Sequence, residues 1–226
     1  MDKKFRTPRV WSNRELEKFA SLFSGKAANV SGWKDIDKEG KRYRDYFSNV
    51  SEYWITNYKS EARGFQGDQE NEIFLDLENP LDDSLKGAFD VVFNHTVLEH
   101  VFDVNTAFQN LCQLSRDIVI IVVPFLQEQH AEYGDYWRFT PLAVEKLFQQ
   151  NAMSLLYINY NDSQSDSIYV FAIGSKHKER WGAICLEHGN QLESIHETMI
   201  GTKIITNSRA ARIYSKLKSI FPSRTA

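Results

Sequence analysis

Apolar residues in this chain follow two rhythms, and their alternation outlines the fold. Val104, Ala107, Phe108, Leu111 and Leu114 recur at helical spacing. Residues 118–123 form an unbroken β-branched run, apolar on both faces as a central parallel strand requires, with Pro124 expected to end it. Shorter runs predict strands at 26–31, 53–56, 73–75 and 88–93. Ser12, with Glu15 three residues on, has the form of a capping box. A helix is therefore expected to open there, to carry Leu16, Phe19, Ala20 and Phe23, and to stop at Gly25. Residues 35–45 are dense in charge and read as a solvated loop and helix start. Residues 60–71, with Gly64 and Gly67, read as a loop. Thr140 followed by Pro141 predicts a capped helix running to Gln150. Residues 154–160 and 167–173 are two more strands, and the link between them is too short for a helical crossover. They are expected to pair antiparallel or lie close together.

Strands separated by helices or loops make a three-layer α/β/α sandwich the natural result. At 226 residues, 42% hydrophobic and 13% aromatic, the chain can bury the core of one such domain with an appendage. Its net charge of -3 favours neither nucleic acid nor an anionic membrane. Cys112 and Cys185 are too few for a disulfide framework or a cysteine-built metal site, and Cys112 reads as a reduced core thiol. No apolar run reaches transmembrane length and the start lacks the apolar segment of a secretory signal, so a cytoplasmic protein is expected. Residues 208–221 read as a basic amphipathic helix, with Ile213, Leu217, Ile220 and Phe221 on one face and Arg209, Arg212, Lys216 and Lys218 on the other. Such a helix either docks on its own domain or contacts a membrane surface or a protein partner.

Residues 89–101 read Phe-Asp-Val-Val-Phe-Asn-His-Thr-Val-Leu-Glu-His-Val: a buried strand, a polar turn and a lead into a helix. This stretch resembles the fourth strand and following turn of class I S-adenosylmethionine-dependent methyltransferases. The resemblance implies a Rossmann-like seven-stranded sheet with an antiparallel last strand over residues 1–175, and a helical C-terminal extension over 176–226. It also implies S-adenosylmethionine as cofactor, bound at the carboxyl ends of the strands.

In that family the first strand is usually followed by an acid and then three glycines at alternating positions, which let the backbone approach the cofactor. Asn29 stands at the acid position here, Ser31 and Trp33 at the first two glycine positions, and Gly32 remains between them. Trp33 would either block the cofactor or line a pocket of altered shape. The acid that usually binds the ribose hydroxyls is Asn57, an amide that can accept one bond and donate another, or that simply turns the chain. Asp76 and Leu77 resemble the acid-containing turn beside the adenine. Asn94 and His95 are expected in the turn on the sulfonium side.

A second match covers residues 123–125, His130 and the run Asp-Tyr-Trp-Arg-Phe-Thr at 135–140. It resembles a set of bacterial methyltransferases of the type 11 kind, many of which belong with cell-surface polysaccharide genes. His130, with His95 as an alternative, is the candidate general base. Tyr136 and Trp137 could stack on a sugar or base. Arg138 would clamp an anionic group on the substrate or, alternatively, pair with Asp135 inside the loop. In some metal-dependent methyltransferases a Glu-x-x-Glu-His turn holds a divalent ion. Thr96 replaces the first glutamate here, and Leu-Glu-His occurs widely without metal, so no metal is expected. The resulting expectation is methyl transfer to an oxygen of a sugar or phosphate in surface-polysaccharide biosynthesis, with a small-molecule or glycan substrate. The alternative is a non-catalytic binding or scaffold protein with an altered cofactor site.

Overall fold

The computed structural model describes residues 3–59, 64–67, 70–130, 134–161, 166–201 and 213. Helix α1 (Lys3–Phe19) precedes strands β1 (Gly25–Val30), β2 (Val50–Asn57), β3 (Glu72–Phe74) and β4 (Phe89–His95). Helix α2 (Val104–Leu114) leads into β5 (Ser115–Leu126), and α3 (Pro141–Gln150) into β6 (Ser154–Tyr160) and β7 (Ile168–Ser175), before α4 (Lys178–Leu186). The seven strands form one sheet in the order β3-β2-β1-β4-β5-β7-β6. The first five run parallel, and β7 is antiparallel to both of its neighbours.

The period-two pattern of β5 explains the three layers. Val119, Ile121 and Val123 pack on one side with Ala107, Phe108 and Leu111 of α2 and Val144 and Phe148 of α3. Ile118, Ile120 and Val122 pack on the other with Leu16 and Phe19 of α1 and Trp181 of α4. A strand between two helical layers must be apolar on both faces. Each fully buried side chain of this size contributes roughly 1.5–3 kcal/mol. As expected, Thr140 caps α3, its Oγ1 accepting from the Ala143 N–H at 3.1 Å. Cys112 and Cys185 are buried free thiols, pushed up by burial to about 12 and about 11.

Three local expectations are corrected. Ser12 lies inside α1 rather than at its start, and its hydroxyl donates to the Arg9 carbonyl at 2.9 Å instead of capping a helix. Glu15 accepts from the Tyr157 hydroxyl at 2.7 Å instead of reaching back to an N-cap. Tertiary burial of Pro8, Ser12, Asn13 and Glu15 carries the helix past the local signal. Pro124 does not end β5: it pairs with Tyr169, and the ladder breaks its register before Leu126. The β4 ladder stops at the His95–Val122 pair, so Pro124 has a sheet neighbour on one side only, where a missing N–H is tolerated. The acid-rich segment after β1 is also not simply solvated, since Asp35 and Asp37 are buried.

Beyond β7, Trp181 donates its indole N–H to Asp117 at 2.9 Å, and Asn190 bonds the backbone of Leu156 and Ile158 in β6. The basic helix expected at 208–221 lies outside the described residues, apart from Ile213. Among the described residues no helix is long and apolar enough to cross a membrane.

Candidate active site

The chain leaves β1 towards β2 and β3, then returns to place β4 on the other side of β1. This reversal is the switch point at which open α/β sheets bind ligands, beyond the carboxyl ends of the strands. Asn94 spans it: paired opposite Val30, it donates from Nδ2 to the Val30 carbonyl at 3.1 Å. Its Oδ1 is buried without a partner. Asn94 and His95 belong to β4 itself rather than to the expected turn, because the ladder with β5 extends through His95. The turn opens at Thr96, whose φ is 53°.

The loop after β1 keeps a glycine-like path without the glycines. Ser31, Trp33 and Asp35 all have positive φ, at 59°, 48° and 56°. These are alternating positions, each costing an L-residue about 1–2 kcal/mol. A dense set of bonds holds the path. The Ser31 N–H reaches Thr56 Oγ1 at 3.3 Å, and the Trp33 N–H donates to Asn57 Oδ1 at 2.8 Å. The Asp35 carboxylate accepts from Asn29 Nδ2 at 2.8 Å, the Tyr53 hydroxyl at 2.7 Å and the Arg44 N–H at 3.0 Å. Burial nevertheless raises the Asp35 pKa, with these bonds opposing it. Asp37 accepts from Tyr46, Asn13 and two backbone N–H groups. At Gly32 a Cβ would lie 2.6 Å from Asn29 Nδ2, so the remaining glycine serves close packing. The Trp33 side chain is partly exposed.

The nucleoside-side candidates are drawn into the same framework. Asn57 is buried, takes the Trp33 N–H, and donates Nδ2 to Glu72 at 2.6 Å. Asp76 closes its own turn by accepting from the Glu78 N–H at 2.9 Å and Asn79 Nδ2 at 2.6 Å. Leu77 points its side chain into the core, and its carbonyl accepts from Asn110 at 2.9 Å.

Across the switch point, the two stretches singled out in sequence meet. The Glu99 carbonyl accepts from the Tyr136 N–H at 2.8 Å and the Trp137 N–H at 3.3 Å. His100 donates Nδ1–H to the Gly134 carbonyl at 2.6 Å, and its ring stands 4.9 Å from that of His130. The His130 backbone N–H bonds Asp135 at 2.8 Å, while its Nδ1 lies 3.3 Å from the same carboxylate. Arg138 donates from Nε to the Gln127 carbonyl, from Nη1 to Asp135 and the Trp137 carbonyl, and from Nη2 to Asp135 and the Glu128 carbonyl. A guanidinium has five N–H groups, so these bonds occupy them all and make Arg138 a loop latch rather than an open clamp. Burial pushes the Asp135 carboxyl up, but the bonds from Arg138 and His130 outweigh it and hold it down at about 2. His100, His130 and Asp135 offer ligand atoms within 4.8 Å of one another. Asp135 is already committed to Arg138 and the His130 N–H, so the trio acts first as a hydrogen-bonded support. Tyr136 and Trp137 are exposed beside Phe102, whose ring lies 5.3 Å from Tyr136 and 6.4 Å from Trp137.

No protein-family model matches the chain, and no curated protein does. Solved structures do match. A protein from Bacillus halodurans solved as a candidate methyltransferase aligns with TM-score 0.56 and 10% identity, over 72% of this chain and 97% of that one. Magnesium protoporphyrin IX methyltransferase from Synechocystis, solved with bound S-adenosylmethionine, aligns with TM-score 0.53 and 11% identity, over 77% of this chain and 82% of that one. The N-methyltransferase NodS from Bradyrhizobium japonicum, in complex with S-adenosylhomocysteine, gives TM-score 0.52 and 12% identity, over 74% and 86%. The chain has the class I methyltransferase fold.

Within this methyltransferase fold, sequence reading missed the group that converges around His95. The Ser12 hydroxyl spends its proton on the Arg9 carbonyl, so at 2.9 Å it accepts from His95 Nε2. His95 Nδ1 faces Thr96 Oγ1 at 3.2 Å. Both ring nitrogens are thus held inside the protein, and burial, then the Arg9 charge, push the His95 pKa well down. The Glu99 carboxyl is buried and raised by that burial to about 8, with Oε2 unpartnered. The Tyr169 hydroxyl, Arg9 Nε and Gln127 Oε1 are also buried without partners. Arg9, Glu99 and Tyr169 come from three distant parts of the chain, so no local spacing announces them.

Proposed function

We propose that this protein is an S-adenosylmethionine-dependent methyltransferase that methylates an oxygen of a sugar or phosphate-bearing acceptor in surface-polysaccharide biosynthesis. One observation carries this reading: Asn94 Oδ1, Glu99 Oε2, Gln127 Oε1 and the Tyr169 hydroxyl are buried without partners at the carboxyl ends of β4 and β5. An unsatisfied buried polar group costs about 1–3 kcal/mol. Several gathered at a switch point are what a site leaves open for a polar ligand.

The cofactor fits this chain in part. The left-handed path at Ser31, Trp33 and Asp35 and the open Asn94 Oδ1 suit the methionine end, where Ser31, Gly32, Trp33, Asn94 and His95 would lie. Asn57, Asp76 and Leu77 would border the nucleoside, with no ribose-binding carboxylate at Asn57. When bound, the cofactor supplies a methyl group on a sulfonium, open to in-line displacement by an acceptor oxygen.

The chain then positions the acceptor and takes its proton. Positioning provides much of the rate in such reactions. His130, whose Nδ1 lies 3.3 Å from both Gln127 Nε2 and the Asp135 carboxylate, is the candidate general base. Tyr136 and Trp137, extended by Phe102, offer aromatic faces for a sugar ring. Arg138 keeps that loop in shape. Residues 1–175 form the catalytic unit in this reading, and the helical region from 176 on is an extension through which a protein or membrane surface is contacted.

Calorimetric titration with S-adenosylmethionine and S-adenosylhomocysteine tests the proposal. Saturable micromolar binding is expected, and a folded protein that binds neither ligand overturns it. That outcome favours a second reading, a non-catalytic scaffold. Its supporting observation is that Asn57 is already bonded to both Trp33 and Glu72.

A further inference from the structure

We propose that Arg9, together with Tyr169 and Glu99, forms a binding site for one anionic group, a carboxylate or a phosphate, reaching the switch point from the side of α1. Arg9 Nε is buried without a partner, and no carboxylate among the described residues forms an ion pair with this guanidinium. Arg9 is half-buried, so its guanidinium is partly withdrawn from water without a counterion, and a bound anion offsets that cost.

Two neighbouring groups can donate alongside Arg9. Arg9 stands beside the Tyr169 hydroxyl, near enough to act on its ionisation but outside hydrogen-bond geometry. That hydroxyl is fully buried and has no partner. The Arg9 charge also acts on Glu99, an acid that burial raises to about 8. A protonated Glu99 cannot neutralise Arg9, and its O–H adds a third donor. Arg138, the cation first expected to take an anion, has spent its donors on Asp135 and three carbonyls. Arg9 and Ser12 lie on the same stretch of α1, and Ser12 bonds His95 at the end of β4, which fixes this helix against the site.

Two sources could supply such an anion: the amino-acid carboxylate of the cofactor, which rests on the function proposed above, or an acid group on the acceptor. Full-length wild type, Arg9→Gln, Arg9→Lys and Tyr169→Phe are titrated by calorimetry with S-adenosylhomocysteine and with 5′-methylthioadenosine, which lacks the carboxylate. Each is also titrated with inorganic phosphate and with acetate. If the cofactor is the source, Arg9→Gln weakens S-adenosylhomocysteine at least tenfold, Tyr169→Phe weakens it less, and methylthioadenosine binding does not change. If the acceptor is the source, S-adenosylhomocysteine affinity is unchanged, while saturable phosphate or acetate binding is lost in Arg9→Gln and partly restored in Arg9→Lys. A wild type that binds no S-adenosylhomocysteine sinks the methyltransferase reading alone, and the anion titrations then decide this one. The proposal fails if folded Arg9→Gln matches wild type for every ligand, or if wild type binds no anion in either arm. Should Arg9→Gln not fold, Arg9→Lys and Tyr169→Phe carry the same comparison.

Discussion

The loops after β1, β2 and β3 spend their polar groups within the chain, whereas those after β4 and β5 leave several open. On the first side Asp35 and Asp37 are fully bonded, Asn57 joins Trp33 to Glu72, and Asp76 closes its own turn. Asn13 Oδ1 is the exception there. On the second side Asn94, Glu99, Gln127 and Tyr169 each bury an atom with no partner, and Arg9 adds a fifth. The same fold thus holds a wall braced by internal bonds and, beside it, a group of buried polar atoms whose bonding is incomplete. Bracing explains how a loop with three non-glycine residues at positive φ keeps its path.

The contrast breaks most visibly at Asp35. Asp35→Ala removes three hydrogen bonds and strands their donors, so a loss of about 3 kcal/mol is expected in urea unfolding. A loss below roughly 1 kcal/mol would mean that the loop is not held by this carboxylate. Next comes the latch. Arg138→Met leaves Asp135 buried beside His130 alone, for an expected cost of about 2–3 kcal/mol near neutral pH. Because the folded Asp135 pKa is held down at about 2, below its ordinary 3.8, its stabilisation is complete above that ordinary value. It is lost as pH falls through about 2, so the gap between wild type and variant should close on acidification; urea midpoints from neutral pH to pH 2 measure this.

Glu99 sharpens the other side. Its folded pKa, about 8, lies above the ordinary 4.5, so between those values the unfolded chain releases a proton that the folded chain retains. Stability contributed at this site therefore falls as pH rises across that window. Glu99→Gln removes the slope: a variant that matches wild type near pH 5 should exceed it by about 3–4 kcal/mol near pH 8. Parallel pH profiles for the two proteins would show that the carboxyl is not held neutral. The smallest effect is expected at Trp33. Trp33→Gly relieves a left-handed residue but frees the unfolded chain, for a net gain of about 0.5 kcal/mol. The backbone bond to Asn57 survives the change, so S-adenosylhomocysteine binding should tighten if the indole obstructs the site and weaken if it forms a wall; equal affinity would remove Trp33 from the pocket.

Much of the frame was legible in the sequence. The β-branched run of β5, the helical spacing of α2, the Thr140-Pro141 cap and the short link before β7 gave the element order and the antiparallel end. The stretches at 89–101 and 123–140 stood out as motifs, and the structure joins them through Glu99, His100 and Gly134.

What the sequence by itself determined is the local part: which segments are helix or strand, which faces are apolar, and so which layered sheet they build. Hydrophobic period and capping chemistry act over a few residues, and they are written in consecutive letters. Only the tertiary structure decided that α1 runs through its apparent cap, that the acids after β1 are buried, that Arg138 is spent within its loop, and that Arg9, Glu99 and Tyr169 converge. Burial and hydrogen-bond partnership depend on groups brought together from distant parts of the chain, and a charged residue reads the same in sequence whether its partner is water, another side chain or a ligand.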